Sequence, residues 1–185
     1  MTKMFITSDL HFGHANIMKF NPNTRPFSSV EEMNESMIKD YNSVVMPDDT
    51  VYILGDVAFM SPGNATTLVN RLNGKKILIR GNHDSKLLTY KPFRDAFHEV
   101  HIYFEMYFKN TKVCMFHYPI AEFNQQHRGA VHFHGHLHGA PSGIEHYRVV
   151  DVSMDATGNV VSSFEDMFNL AIAKTIKGHG SSNEQ

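Results

Sequence analysis

Three short apolar segments in the first half of the chain constrain its fold more than any other feature. Residues 3–7, 51–54 and 77–79 are dominated by β-branched and large apolar side chains. Such runs predict short strands that are buried on both faces. Strands of this kind occur mainly in parallel sheets that helices cover on each side, so the chain is predicted to be a mixed α/β protein.

Helical patterns separate these strands. A capping-box sequence begins at Ser29 and is followed by apolar residues at intervals of three and four, which predicts an amphipathic helix that ends before Pro47. A second helix is predicted over residues 64–72, because Asn-Gly follows it. The last helix is predicted to begin near Ser162 and Ser163, because Ser162 and Glu165 have the spacing of a second capping box.

The second half of the chain has a different pattern, in which strands follow one another directly. They are predicted over residues 100–108, 113–116, 130–134 and 147–152, with a turn at residues 109–111. No repeat or linker divides the sequence. Residues 1–177 are therefore predicted to form a single domain, and residues 178–185 a flexible tail.

Composition and charge exclude several classes of protein. No apolar run approaches the roughly 20 residues that cross a bilayer, and the N-terminal segment turns polar at Ser8. That leaves no room for a signal peptide, so a cytoplasmic protein is expected, in the host cytoplasm if a phage encodes it. A net charge of −2 provides no overall basic field, and a nucleic-acid partner is not favoured.

Histidine is the unusual residue in the composition, with thirteen in 185 residues. It is the commonest metal ligand among side chains. Metal-competent residues, five of them histidines, follow five of the predicted strands: Asp9 and His11, Asp56, Asn82 and His83, His117, and His136 with His138. The carboxyl ends of parallel strands converge on one crevice, so these residues are expected to meet there.

Each group alone has a simpler explanation. An aspartate after a strand is commonly a turn or helix-capping residue. The histidine-rich segment 132–138 has a structural zinc site as its simpler alternative, but it lacks the thiolates that such sites usually contain. The combination is therefore more informative than any one group.

In combination and in order, the groups resemble the calcineurin-like metallophosphoesterase superfamily. They read Asp9-x-His11, Gly55-Asp56, Gly81-Asn82-His83-Asp84, His117 and Gly135-His136-x-His138. Residues 8–14 and 23–27 are similar to the small single-domain bacterial and phage phosphoesterases of that superfamily. The resemblance implies a β-sandwich flanked by helices in four layers, α/β/β/α, with a dinuclear metal site at the carboxyl ends of the strands.

The resemblance also implies a ligand set for each metal ion. One ion would take Asp9, His11 and His138, the other Asn82, His117 and His136, and Asp56 would bridge the two. Imidazole mixed with carboxylate and amide oxygen suits transition metals better than magnesium or calcium. Two divalent ions are expected, with manganese favoured and iron, zinc or nickel compatible.

The implied reaction is hydrolysis of a phosphoester by a metal-activated hydroxide, with His83 as the acid or transition-state stabiliser. Asp84 either orients the His83 imidazole or caps the helical turn that follows. Arg25 is expected to grip the substrate phosphate as a bidentate donor. His14 is expected to contact the phosphate or to orient a ligand, with a capping or solvated histidine as the alternative, and His134 to lie behind the ligands.

The short chain favours an open site. Only 17 residues separate His117 from Gly135, and there is no room for an elaborate capping domain. An open site that retains His83 favours a phosphodiester, cyclic or nucleotidyl, although a phosphatase activity stays open. The expected partner is a small phosphoester or nucleotide. Two alternatives remain: a nuclease of the same superfamily, and a binding module on the same fold that has lost catalysis.

Overall fold

The computed structural model describes residues 2–145 and 147–174, and the tail predicted at residues 178–185 lies outside them. The described residues form two sheets. Their strands are β1 (Met4–Thr7), β2 (Thr50–Ile53), β3 (Lys75–Ile79), β4 (Glu99–His101), β5 (Tyr103–Phe108), β6 (Thr111–Phe116), β7 (Val131–His134), β8 (Val149–Asp151) and β9 (Ser162–Ser163). The first sheet has the order β4-β3-β2-β1-β9 and the second has the order β5-β6-β7-β8.

The helices lie between and after these strands. They are α1 (Ile17–Phe20), α2 (Val30–Val44), α3 (Pro62–Val69), α4 (Ser85–Leu88), α5 (Lys91–Arg94), α6 (Met154–Thr157) and α7 (Phe164–Ile172), with a short 3₁₀ helix at Gln126–Arg128. Ser29 caps α2 by accepting a hydrogen bond from the Glu32 N–H, as the capping box predicts. The predicted start of α7 near Ser162 and Ser163 is confirmed, but the capping-box assignment to Ser162 is wrong. Ser162 pairs with Ile6 in β9, and Ser163 is the capping residue.

The strands β1, β2, β3 and β4 are parallel, which confirms the prediction for the first three. In the second sheet, β5 and β6 form a hairpin, and β7 and β8 continue it in parallel. The hairpin turn consists of Lys109 and Asn110, which both have positive φ, the conformation that matches the twist of the flanking strands.

The strand predicted over residues 100–108 is in fact two strands that belong to different sheets. β4 pairs with β3 in the first sheet, and β5 begins the second sheet. The chain crosses between the sheets at Ile102, which is 58% exposed. The residues on both sides of Ile102 favour strands, so the sequence pattern does not indicate where the chain passes from one sheet to the other.

Two apolar layers hold the fold together. One face of the first sheet packs against the helices, with Val51 and Ile53 in the same cluster as Met37 and Phe93. The other face packs against the second sheet. That layer includes Ile6, Leu54, Met115, Phe133 and Phe164. The predicted sandwich of two sheets flanked by helices is confirmed.

Residues 118–129 pack on the outer face of the second sheet. Phe123 packs against His132 with ring centroids 5.2 Å apart, and the Cys114 thiol points at the Asn124 carbonyl. The short 3₁₀ helix belongs to this cover. Within residues 2–145 and 147–174, no helix has the length and apolar character needed to cross a bilayer.

Candidate metal centre

The loops after β1, β2, β6 and β7 are joined by backbone hydrogen bonds at one end of the sandwich. The Asp9 N–H donates to the Gly55 carbonyl and the His11 N–H donates to the Asp56 carbonyl, each at 3.0 Å. The Gly135 N–H donates to the His117 carbonyl at 2.9 Å. The expected convergence of strand ends is therefore present, and main-chain bonds fix the β1 loop to the β2 loop and the β6 loop to the β7 loop.

Asp9, His11 and His138 form a first group whose ligand atoms lie within 4.8 Å of one another. The Asp9 Oδ1 atom is 3.6 Å from His11 Nε2 and 3.7 Å from His138 Nε2. Both Asp9 Oδ1 and His11 Nε2 are buried and have no hydrogen-bond partner among the described residues. Buried polar atoms are almost always paired, so a cation placed between these two atoms fits the site.

Asp56, His117 and His136 form a second group, also within 4.8 Å. His117 Nδ1 is 2.7 Å from the Leu54 carbonyl, which requires a proton on that nitrogen. In the neutral ring, Nε2 is then an acceptor, and it faces another acceptor, Asn82 Oδ1, at 2.8 Å. A metal ion between the two would satisfy both, so Asn82 belongs with this group.

Asp56 lies between the two groups. Its Oδ2 atom is 3.8 Å from His11 Nε2 and 3.6 Å from His117 Nε2. One carboxylate oxygen therefore faces both groups, as a shared ligand requires. The donor set, mixing imidazole with carboxylate and amide oxygen, matches borderline transition metals.

The backbone at these residues is strained. Asp9, His11, Asp56, His136 and His138 all have positive φ, between 51° and 71°. Residues other than glycine rarely adopt this conformation, and each instance costs on the order of 1–3 kcal/mol. Such strain concentrates at functional sites, where the surrounding structure enforces it.

Two glycines allow the loops to approach one another. A Cβ atom on Gly81 would overlap Asp56 Oδ1 and lie 2.6 Å from the Asp56 backbone nitrogen. A Cβ atom on Gly135 would overlap the Ser8 hydroxyl and Asp9 Oδ2. The Gly-Asn-His-Asp and Gly-His-x-His sequences therefore need glycine at these positions, because a side chain would overlap the neighbouring loop.

Asp84 has neither of the two roles considered for it. Its side chain makes no capping hydrogen bond to α4, and no hydrogen bond joins it to the His83 ring in the described structure. Its buried carboxylate accepts hydrogen bonds from the N–H groups of Asp56 and Val57 at 2.9 Å and of Gly81 at 2.8 Å. Asp84 therefore ties the loop after β2 to the loop after β3.

His83 lies at the open side of the site, with a side chain 47% exposed. Its Nε2 atom is 3.9 Å from Asp56 Oδ2, and its backbone N–H donates to Asp56 Oδ1 at 2.9 Å. The ring packs against Phe59, with centroids 4.5 Å apart. An imidazole in this position can reach a ligand bound to the two groups.

His14 and His134 lie next to the groups rather than in them. The His14 ring stacks on Phe59 at 4.2 Å and on His11 at 5.4 Å. Burial and then the neighbouring His11 lower the pKa of His14. His134 is buried, and its Nδ1 atom is 2.8 Å from the Gly135 carbonyl, directly before His136.

The expectation that Arg25 grips a substrate phosphate is wrong, because Arg25 is only 1% exposed. Its Nη1 donates to the Leu10 carbonyl at 2.8 Å and its Nη2 to the Asp9 carbonyl at 2.6 Å. Its Nε donates to Asp155 Oδ1 at 2.9 Å. The guanidinium therefore lies beneath the first group and faces no solvent.

Sequence reasoning missed Asp155, which receives a 2.6 Å hydrogen bond from His138 Nδ1. Burial raises the pKa of Asp155, but the hydrogen bonds from His138 and Arg25 outweigh burial and hold the pKa well below its usual range. In the sequence, Asp155 is an ordinary acidic residue in the first turn of a short helix. Nothing local distinguishes it from a residue that stabilises a helix end.

Sequence reasoning also missed Tyr118, whose ring lies against the second group. Its centroid is 4.6 Å from that of His136 and 5.0 Å from that of His117, and the residue is 36% exposed. Its position directly after His117 was the one available indication.

Known proteins resemble this chain over most of its length. The model of the calcineurin-like phosphoesterase family matches residues 2–153. An uncharacterized protein of Methanocaldococcus jannaschii is 37% identical over 140 residues, which cover 75% of this chain and 70% of that protein. The gene 66 protein of Mycobacterium phage L5 is 31% identical over 201 residues, with 89% of this chain and 92% of that protein covered.

A solved structure has a similar fold. It is a protein of unknown function from Aquifex aeolicus, which superposes with a TM-score of 0.72 and covers 92% of this chain and 100% of its own. At 24% identity, this likeness supports the fold alone.

Proposed function

Because the chain belongs to the calcineurin-like phosphoesterase family, we propose that it hydrolyses a phosphoester with the help of two bound transition-metal ions. One observation carries this proposal. Two groups of candidate ligands lie side by side and share Asp56, and the first group contains buried donor atoms without partners, Asp9 Oδ1 and His11 Nε2. Every ligand position that the family resemblance implies is filled in this chain.

We assign the ligands by group. The first ion would be held by Asp9, His11 and His138, the second by Asn82, His117 and His136, and both by Asp56. When bound, such ions neutralise phosphoryl charge and lower the pKa of a water to about 7, which supplies the nucleophile. Manganese is the first choice for this donor set, and iron, zinc and nickel have compatible preferences.

His83 is the catalytic side chain in this proposal. Its backbone bond to Asp56 and its contact with Phe59 aim the half-exposed imidazole at the open side of the ligand groups. From there it donates a proton to the leaving oxygen, or a hydrogen bond to the phosphoryl oxygens in the transition state. His14, which stacks on the same Phe59 ring, is proposed to contact the substrate phosphate beside it.

A phosphodiester is the proposed substrate class. Asn82 and His83 are both exposed, so this side of the site is open and leaves room for a second substituent on the phosphate. Hydrolysis of such a diester expels one of its two alkoxides, which His83 is placed to protonate. We propose a small or nucleotidyl diester in the cytoplasm as the substrate.

Nuclease activity is the second candidate, and Tyr118 is the observation in its favour. A 36% exposed aromatic ring beside His136 offers a surface on which a base can stack. Binding of a nucleic acid would weaken steeply with added salt, whereas binding of a small diester would not. Hydrolysis of short oligonucleotides at two salt concentrations separates the two candidates.

The proposal is tested by turnover of the manganese-loaded protein on a panel of phosphomonoesters, linear and cyclic phosphodiesters and short nucleic acids. We predict that His83→Ala lowers turnover of the best substrate by a factor of about 100 or more, because loss of a general acid usually has an effect of this size. The metal content should be unchanged. His98→Ala, which removes an exposed histidine outside the site, is the matched control and should retain full activity.

Full activity of His83→Ala would show that another group supplies the proton. If the wild-type protein binds two metal ions but hydrolyses no member of the panel, the hydrolase proposal fails and a binding module on this fold becomes the better description.

A further inference from the structure

A buried ion pair lies directly behind the first ligand group. The side chains of Arg25 and Asp155 are 0% and 1% exposed, and Arg25 Nε lies 2.9 Å from Asp155 Oδ1. A second bond, from Arg25 Nη2 to Asp155 Oδ2 at 3.1 Å, makes the pair bidentate. Burying such a pair contributes little net stability compared with apolar residues of similar volume. Its presence here calls for a role other than stability.

Asp155 fixes the orientation of His138. The carboxylate accepts a hydrogen bond from His138 Nδ1 at 2.6 Å, which places the ring proton on Nδ1 and directs Nε2 towards Asp9 Oδ1. Thr24 donates to the other carboxylate oxygen at 2.6 Å and holds it from the opposite side. A carboxylate behind a metal-binding histidine sets its tautomer and raises its basicity.

Arg25 fixes the other two members of the group through their backbone. Its Nη2 and Nη1 atoms donate to the carbonyls of Asp9 and Leu10, the two peptides between Asp9 and His11. Asp9 and His11 both have positive φ, at 55° and 51°. The guanidinium therefore holds a strained segment in the conformation that directs both side chains at one point.

Among the described residues, the histidines of the second group have no carboxylate partner like Asp155, and Asp84 supports this group only through the backbone N–H groups of Asp56 and Gly81. His117 donates its Nδ1 proton to a neutral backbone carbonyl, that of Leu54. In the described structure, no side-chain hydrogen bond of His136 is found, and Asn82 is exposed. The ion pair thus serves one of the two groups.

We propose that Arg25 and Asp155 are positioning residues that raise the metal affinity of the Asp9, His11 and His138 group without affecting the other group. This inference rests on the proposed function only in that the first group binds a metal ion. It requires no turnover and names no substrate.

The test is manganese binding to the metal-free protein, followed by calorimetry and by the electron paramagnetic resonance of bound manganese. In Asp155→Asn, we expect one of the two ions to bind about 10–100 times more weakly, the usual effect of losing such a partner, and the other to bind as in the wild type. Arg25→Lys keeps the positive charge but loses the forked geometry, so the same ion should be weakened.

Arg71→Ala is the matched control, because Arg71 forms a bidentate pair with Glu35 at 2.6 Å on the exposed surface. It should leave both affinities unchanged. Unaltered affinities in Asp155→Asn would overturn the proposal. Equal weakening of both ions would also overturn it, since it would indicate a general structural role.

One measurement needs no substitution and covers the case in which the variants fail to fold. In the zinc-loaded wild type, the ¹⁵N resonances of His138 should report a protonated Nδ1 and a metal-bound Nε2. Metal on Nδ1 would overturn the proposal. Absence of any bound metal in the wild type would instead reject the proposed function, and two bound ions without turnover would reject only the activity.

Discussion

Asp84→Asn tests how the loops of the site are held together. Asp84 Oδ2 accepts from the N–H groups of Asp56 and Gly81, and Oδ1 accepts from that of Val57. Asparagine has an oxygen at only one of these positions, so its NH₂ group would face a buried N–H. An unsatisfied buried donor costs about 1–3 kcal/mol, and the two remaining bonds lose charge assistance of roughly 1 kcal/mol each. Removing a buried charge offsets part of this, which leaves an expected loss of about 2–4 kcal/mol.

The assay is urea unfolding of the metal-free protein, followed by circular dichroism. Asp95→Asn is the matched control. Asp95 is exposed, and within the described part of the chain its side chain pairs only with Lys91, so its replacement should change the free energy of unfolding by less than about 0.5 kcal/mol. If Asp84→Asn lowers the free energy of unfolding by less than about 1 kcal/mol, the prediction is wrong, because the three hydrogen bonds would then contribute little to stability.

Two further predictions concern space and pH. Gly81→Ala should abolish tight metal binding, because the added Cβ atom would collide with Asp56. Gly63→Ala in α3 should bind metal normally, because among the described residues no atom outside its own helix lies within 4 Å of the added Cβ atom. Equal metal content in the two variants would show that the added Cβ atom at Gly81 causes no collision. His132 is buried, and its Nε2 accepts from the Ile120 N–H, so the ring is neutral in the folded protein and burial lowers its pKa to about 4. The pKa of histidine in the unfolded chain is about 6.5. The contribution of the neutral His132 ring to stability is therefore fully present above pH 6.5 and is lost as the pH falls towards 4. The free energy of unfolding of the metal-free protein in urea should therefore fall by about 2–3 kcal/mol between pH 7 and pH 4.5 because of His132. His132→Leu should not show this part of the fall. An identical pH dependence in both proteins would show that His132 makes no such contribution.

The sequence predicted those parts of the fold that local patterns encode. Continuous apolar runs identified β1, β2 and β3 as buried parallel strands, and the capping box at Ser29 placed the start of α2. The crossing at Ile102 was not predictable, because residues on both sides of it favour strands. Ser163 rather than Ser162 caps α7 because Ser162 pairs with β1, which no local pattern records.

The candidate ligands were predictable because they follow strands in a recognisable order, and their convergence is a property of the parallel sheet. The role of Arg25 was not predictable. Its partner Asp155 lies 130 residues away, so the sequence does not distinguish a buried arginine under the site from an exposed one beside a substrate. The left-handed backbone at Asp9 and His11 is likewise imposed by tertiary contacts and leaves no trace in residue type.

The central claim is that two metal ions share Asp56, and the most direct measurement is the metal content of Asp56→Asn. Elemental analysis after manganese loading and gel filtration should find close to two ions per wild-type chain. Because the Asp56 carboxylate faces both groups, the variant should be depleted of both ions. Two ions still bound to Asp56→Asn would contradict the shared ligand, and with it the dinuclear centre as described.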